Sequence, residues 1–268
     1  MPVLEVNDLR IAYDAAGVRG SPVVFLHGVG SDHAVWSEQL SDLGDDHRAI
    51  ALDFRGHGAS QIPEAPIDRA AFAADVVGLL DALEISRTHL VGLSMGGVVA
   101  LETYSAYPDR VLSLTLADTF AAFPGWEEGM KQRERDLRQL SMHEIAEARI
   151  PACLRPDPDP RKLAAAIAQM ARKDKRVYAE SSAATWSPDY RPLLRRVAVP
   201  TLVLWGEHDT LTPRALSEEL HAGICRSRCI EIPNAGHISN LDNPAAFNAV
   251  LREFLSRADA AYSEGEAL

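Results

Sequence analysis

The sequence predicts an α/β fold built on an open, mostly parallel central sheet flanked by helices, and three observations lead there. Short apolar runs alternate with amphipathic stretches from Val23 to Ala117. Within each run, successive residues rather than alternate ones are apolar, as in strands buried between two helix layers. The alternation stops near Phe120, gives way to helical patterns alone until Val197, and resumes at Pro200.

Taken in order, residues 3–6 and 10–14 read as short strands joined by the turn pair Asn7-Asp8. A strand over 23–26 is broken by Gly28 and Gly30 and followed by helical spacing over 34–43. Residues 49–52 form the next strand, ended by Asp53 and a glycine-rich turn. A helix over 70–83 carries Phe72, Val76, Leu79, Leu80 and Leu83 on its apolar face. A strand over 88–91, a helix over 97–107 stopped by Pro108, and a strand over 111–117 complete this half. Between Phe120 and Val197, residues 127–140 and 163–171 have helical spacing, and Pro156, Pro158 and Pro160 mark an extended linker. A strand over 201–205, a helix over 213–221, a strand over 228–232 and a helix over 244–256 follow. Residues 259–268 lack periodicity and read as a frayed tail. The organisation expected is one α/β core, 1–119 and 198–258, with a helical cap, 120–197, inserted after the sixth strand.

The 268 residues suit one large domain or one domain with an insertion, and 47% apolar content supplies a sizeable core. Lys and Arg number 27 against 38 Asp and Glu, a net charge of −11 that disfavours nucleic acid and anionic membrane as partners. Cys153, Cys225 and Cys229 are too few for a disulfide scaffold. Cys225 and Cys229 lie four apart with nothing nearby to complete a metal site, so reduced thiols in a cytoplasmic protein are expected. No leader pattern opens the chain and no run of about 18 apolar residues occurs in it.

Gly92-Leu93-Ser94-Met95-Gly96 follows a strand and opens a helix, the setting in which a G-x-S-x-G turn exposes a serine nucleophile. A plain N-cap serine would need neither glycine. A serine hydroxyl needs a base to take its proton. His237, in the loop after the 228–232 strand, would lie at the same sheet edge as Ser94. The orienting carboxylate is expected from Asp209, directly after the 201–205 strand, with Asp118 at the end of the 111–117 strand as its competitor. The order Ser94, Asp209, His237 is the nucleophile–acid–base order of such sheets. Backbone N–H groups of Met95, at the helix start, and Val29, in the loop after the 23–26 strand, are candidate donors to an oxyanion.

The segments His27-Gly28, Asp53-Phe54-Arg55-Gly56-His57-Gly58-Ala59-Ser60, Gly92-Leu93-Ser94-Met95-Gly96-Gly97, Gly206-Glu207-His208-Asp209 and Gly236-His237 together resemble the α/β-hydrolase superfamily over nearly the whole chain. The resemblance implies the α/β-hydrolase fold with a helical cap and gives Arg55 and His57 a loop-holding role. A serine at position 94 separates the chain from the aspartate-nucleophile branches, and the elbow with Gly236-His237-Ile238-Ser239-Asn240-Leu241 looks most like 3-oxoadipate enol-lactonases and related small carboxylesterases. The function so implied is cofactor-free and metal-free hydrolysis of a small-molecule ester or lactone. Carbon–carbon bond hydrolysis, perhydrolase or haloperoxidase activity and a non-catalytic ligand receptor are the alternatives. Trp36, Phe123, Trp126, Trp186 and Ile238 are candidate pocket residues. Arg133, Arg135 and Arg138 read as a solvated helix face, with recognition of a substrate carboxylate as the other option. The sequence leaves the oligomeric state, monomer or homodimer, open.

Overall fold

The computed structural model describes residues 1–263. Its eight strands are β1 (Val3–Val6), β2 (Leu9–Ala16), β3 (Pro22–Leu26), β4 (Arg48–Leu52), β5 (Thr88–Leu93), β6 (Val111–Ala117), β7 (Thr201–Gly206) and β8 (Ser227–Ile232). They form one sheet in the order β1-β2-β4-β3-β5-β6-β7-β8. The β1–β2 and β2–β4 pairings are antiparallel and the rest parallel. Asn7 and Asp8 both have positive φ, the conformation a tight hairpin between β1 and β2 requires.

Alternate residues of the central strands feed two separate cores. Val24, Leu26, Ile50, Leu52 and Leu90 pack with α2 (Arg69–Ala82) and α3 (Met95–Ala106) on one face. Val23, Phe25, Ala49, Ala51 and Val91 pack with α1 (Ser37–Leu43) and α9 (Pro244–Ser263) on the other. This doubly covered sheet is why the strands read as continuous apolar runs.

Four of the helices between β6 and β7 follow one another directly: α4 (Trp126–Gln139), α5 (Met142–Cys153), α6 (Pro160–Ala171) and α7 (Lys175–Trp186). Of these, α5 opens with a capping box in which Ser141 and Glu144 satisfy each other's backbone N–H groups. They share a core of their own around Ile145, Ile150, Met170 and Tyr178. An antiparallel bridge between Ala122 and Asp189, with Tyr190 N–H donating to Ala121 O at 2.8 Å, closes the neck of this unit. Phe120, Ala121, Tyr190, Leu193, Leu194 and Val197 pack into the sheet core, the last four around the short helix α8 (Arg191–Leu194). The bridge brackets residues 122–189, which hold α4 to α7.

The C-terminal helix corrects one expectation. Residues 259–263 continue α9 rather than fray, and residues 264–268 lie outside the described residues. Asp259 accepts from Ser21 Oγ at 2.8 Å and from His89 Nε2 at 3.0 Å, and lies 3.4 Å from His47 Nε2, so tertiary contacts extend the helix where periodicity is lacking.

Candidate active site

Ser94 occupies the single residue between β5 and α3, with φ 54° and ψ −115°. A non-glycine residue there is strained and persists only when its surroundings hold it. Ser94 N–H donates to Ala117 O at 2.9 Å, and its carbonyl accepts from Gly97 N–H at 2.9 Å and Thr119 Oγ at 2.8 Å. The flanking glycines are there for space. A Cβ on Gly96 would sit 2.0 Å from the Leu26 carbonyl oxygen, and one on Gly92 would sit 2.3 Å from that of Gly96. Gly96→Ala must push α3 away from β3. It is expected to cost about 1–3 kcal/mol or more of stability, read as a lowered urea midpoint, and to lower kcat further by displacing Ser94.

The other two predicted residues meet Ser94 at the carboxyl edge of the sheet. Ser94 Oγ donates to His237 Nε2 at 2.9 Å, and His237 Nδ1–H donates to Asp209 Oδ2 at 2.9 Å. Asp209 is itself fixed: its Oδ1 accepts from the N–H groups of Leu211 at 2.8 Å and Thr212 at 2.9 Å, and Thr212 Oγ donates to its Oδ2. Burial opposes charge on Asp209, but His237 and these hydrogen bonds prevail and hold its pKa below the usual carboxylate range. Burial likewise opposes protonation of His237, and the Asp209 carboxylate overrides it, raising the imidazole pKa.

Asp118, the competing acid, is fully buried but does not contact the imidazole. It accepts from Gly206 N–H at 2.8 Å and from the N–H and Oγ of Ser239 at 3.3 and 2.5 Å. It thus ties the end of β7 to the loop carrying His237. Burial, then the charge of Asp209, raises its pKa.

The loop after β3 borders Ser94: a Cβ on Gly28 would stand 3.5 Å from Ser94 Cβ, and Val29 lines the same cavity as Ser94. His27 holds this loop, with Nδ1–H donating to Gly28 O at 2.8 Å and Nε2 accepting Phe54 N–H at 3.2 Å. Burial lowers the pKa of both His27 and His57, the latter to about 3, so both stay neutral. Arg55 forms a two-pronged pair with Asp75 at 2.6 Å on each arm. From the helical unit, Lys173 Nζ donates to Ser31 O at 2.5 Å, and Gln169 bonds both Ser31 Oγ and Asp32. Asp32, His33 and Asp53 cluster close enough to share an ion. Their polar atoms already serve the loop: Asp53 takes His33 N–H at 2.7 Å, His33 Nδ1–H at 2.9 Å and Ala59 N–H at 2.8 Å, and Asp32 caps Ala34 N–H at 3.1 Å.

A cavity of about 300 Å³ lies over Ser94 and His237. That is the small end of the range for ligand pockets. Of the candidate pocket residues, Trp186 and Ile238 line it. Trp36 does not: it is wholly buried between Phe25 and Phe247 under the sheet. Phe123 stacks on Phe120 and Trp186 behind the wall, and Trp126, at the start of α4, is also outside the lining. Indole size and position in the chain did not separate a core tryptophan from a pocket one. Arg133 is corrected too. It is only 6% exposed and lines the cavity, whereas Arg135 and Arg138 are exposed on the same helix. Thr212, Lys173 and Tyr178 were not anticipated; the Asp-x-x-Thr spacing after β7 was a readable turn signal for Thr212 alone.

Residues 23–250 match the model of the alpha/beta hydrolase family. The chain is 30% identical to 3-oxoadipate enol-lactonase 2 of Acinetobacter baylyi, over 96% of this chain and 99% of that one. The enol-lactonase of Burkholderia xenovorans LB400 superposes with a TM-score of 0.90 at 32% identity, covering 95% of this chain and 100% of the other. A thermophilic esterase from Thermogutta terrifontis gives 0.88 at 30% identity, covering 96% and 98%. With the doubly covered sheet and the serine turn between β5 and α3, these likenesses establish that the chain belongs to the alpha/beta hydrolase family.

Proposed function

We propose that this protein hydrolyses a small carboxylic ester or lactone through an acyl-enzyme on Ser94. The observation that carries the proposal is the hydrogen-bonded chain Ser94–His237–Asp209, each link 2.9 Å, opening on a cavity of small-molecule size. His237 takes the Ser94 proton as Oγ attacks the carbonyl carbon. Asp209 holds the ring in the tautomer that leaves Nε2 free to accept, and stabilises the imidazolium that forms. Val29 and Met95 N–H groups receive the negative charge developing on the carbonyl oxygen. His237 then passes its proton to the departing alkoxide, which in a lactone stays tethered to the acyl group. Water, deprotonated by His237, cleaves the acyl–serine ester; the carboxylic acid leaves and Ser94 regains its proton. The helices of 122–189 act as a cap that shapes the cavity, a role supported by their contribution of Arg133, Ile150, Met170, Tyr178 and Trp186 to its lining. The similarity to enol-lactonases and to an esterase supports an ester or lactone carbonyl as the target.

The reading is tested by assaying simple esters and five- and six-membered lactones across pH. Turnover of at least one class is expected, with kcat/KM rising with pH as His237 loses its proton. The Asp209 charge raises the His237 pKa, so the midpoint should lie above that of an unpaired imidazole. No turnover of any ester or lactone, or activity persisting undiminished well below the imidazole range, would contradict it.

A further inference from the structure

The turn that carries Val29 is anchored at its two ends by different parts of the chain. Ser31 N–H donates to Gly28 O at 3.1 Å and closes the turn over Val29 and Gly30. Val29 N–H donates to no protein atom among the described residues, which leaves it free to receive a substrate oxygen. The Gly28 end is held from the core, by His27 Nδ1–H on Gly28 O at 2.8 Å. The Ser31 end is held from the inserted helices. Lys173 Nζ donates to Ser31 O at 2.5 Å, Ser31 Oγ donates to Gln169 Oε1 at 3.0 Å, and Gln169 Nε2 donates to Asp32 Oδ1. Between these contacts α6 lies so close that a Cβ on Gly30 would stand 3.3 Å from Met170 Sδ. Lys173 is the costly member of this set. Its side chain is 4% exposed, yet its hydrogen bond goes to a peptide carbonyl, and Asp32 Oδ2 is 4.0 Å away. Burial lowers its pKa to about 8, Arg172 adds to the fall, and the charges of Asp32 and Asp53 oppose it. His27 and His57, which also face it, are kept neutral by burial. A buried ammonium is a poor source of stability, because its desolvation offsets what its contacts return. Lys173 does not line the cavity over Ser94, so any effect it has on chemistry must pass through the turn.

We propose that Lys173 is a positioning residue that, with Gln169, fixes the Ser31 end of this turn and so aims Val29 N–H at the carbonyl oxygen over Ser94. This rests on the hydrolase reading above, and it adds that the inserted helices complete the oxyanion site as well as covering it. With Gly28 pinned from the core, the freedom left to the turn is a swing of its Ser31 end. Gly30, lacking a side chain, offers that swing little resistance. A charge-assisted hydrogen bond from an ammonium to Ser31 O is a stronger restraint than a neutral donor would give. Placement matters because a donor serves an oxyanion only at about 2.7–3.1 Å. A displacement of about 1 Å is enough to lose most of the effect.

Lys173→Met and Lys173→Gln are compared with the wild type in two assays. One is steady-state hydrolysis of an ester or lactone that the wild type turns over. The other is the rate at which a fluorophosphonate labels Ser94, since the P=O oxygen of that probe takes the place of the oxyanion. In Lys173→Met, kcat is expected to fall about tenfold to a hundredfold while KM stays within about threefold, and the labelling rate should fall by a similar factor. Tm should drop by less than about 6 °C, because an apolar side chain replaces a desolvated charge. Lys173→Gln keeps an N–H donor for Ser31 O and should recover part of both rates. Unchanged kcat and labelling in Lys173→Met would overturn the proposal. A raised KM with kcat intact would do so too, as would a loss in both variants that comes with a Tm drop beyond that range. A wild type in which Ser94 takes no label and no ester is cleaved fails the hydrolase reading itself, whereas a labelled wild type with unaffected variants overturns this inference alone.

Discussion

Ser94→Ala is expected to lower kcat by at least about a thousandfold on any ester or lactone the protein turns over, with Tm nearly unchanged. Both halves follow from the structure. The backbone contacts that hold the elbow, Ser94 N–H to Ala117 O and Ser94 O to Gly97 N–H and Thr119 Oγ, do not involve the hydroxyl. The hydroxyl itself is spent on His237 Nε2. On the proposed mechanism, removing it deletes the nucleophile and leaves the imidazole, Asp209 and the cavity in place. The residual rate would come from oriented binding and backbone donors alone. Near-wild-type activity in this variant would remove Ser94 from the chemistry.

Asp209→Asn and Asp118→Asn should separate two carboxylates that look alike in the sequence. Asp209 Oδ2 accepts the His237 Nδ1–H, and an amide in its place both removes the charge and can present its NH₂ to the ring, favouring the wrong tautomer. A loss of roughly 10³–10⁴ in kcat is expected, the size seen when a triad acid becomes an amide. The acidic limb of the remaining activity should also move to lower pH. The Asp209 charge raises the His237 pKa, so its removal lets burial pull that pKa down. Asp118→Asn should cost far less, about tenfold, because Asp118 holds the His237 loop through Ser239 and β7 through Gly206, and reaches the imidazole only through space, without a hydrogen bond. Steady-state kinetics of both variants against pH decide this. An Asp118→Asn loss equal to that of Asp209→Asn would assign the acid to β6.

What was legible in the sequence had a short-range physical cause. The parallel strands announced themselves because both faces of the sheet are covered. The elbow did so because close approach of α3 to β3 excludes a side chain at Gly96. Asp209 and His237 could be placed because strand ends in a parallel sheet converge on one edge. The misses involve contacts made at long range. Residues 259–263 stay helical through Asp259, whose partners lie in β5 and the β2–β3 and β3–β4 connections. Arg133 sits on a helix with one of the most polar stretches of the chain, Trp126–Gln139, and nothing in its spacing tells that α7 will cover it with Tyr178 and Trp186. Trp36 failed the other way: its nearness in sequence to the loop holding Val29 suggested the site, but the turn at His33–Trp36 points it under the sheet between Phe25 and Phe247. Whether an aromatic or an arginine reaches the cavity is decided by how the 122–189 helices settle on the core, which no local pattern encodes.

The central claim is that Ser94 is a nucleophile activated by His237, and covalent labelling tests it most directly. The protein is treated with a fluorophosphonate, and the adduct is mapped by peptide mass spectrometry in the wild type and in His237→Ala. One adduct per chain is expected, on the peptide carrying Ser94, with activity lost in proportion to labelling and the reaction slowed by orders of magnitude in the variant. Stoichiometric labelling at another residue, or a fully labelled Ser94 with hydrolysis intact, would contradict the account.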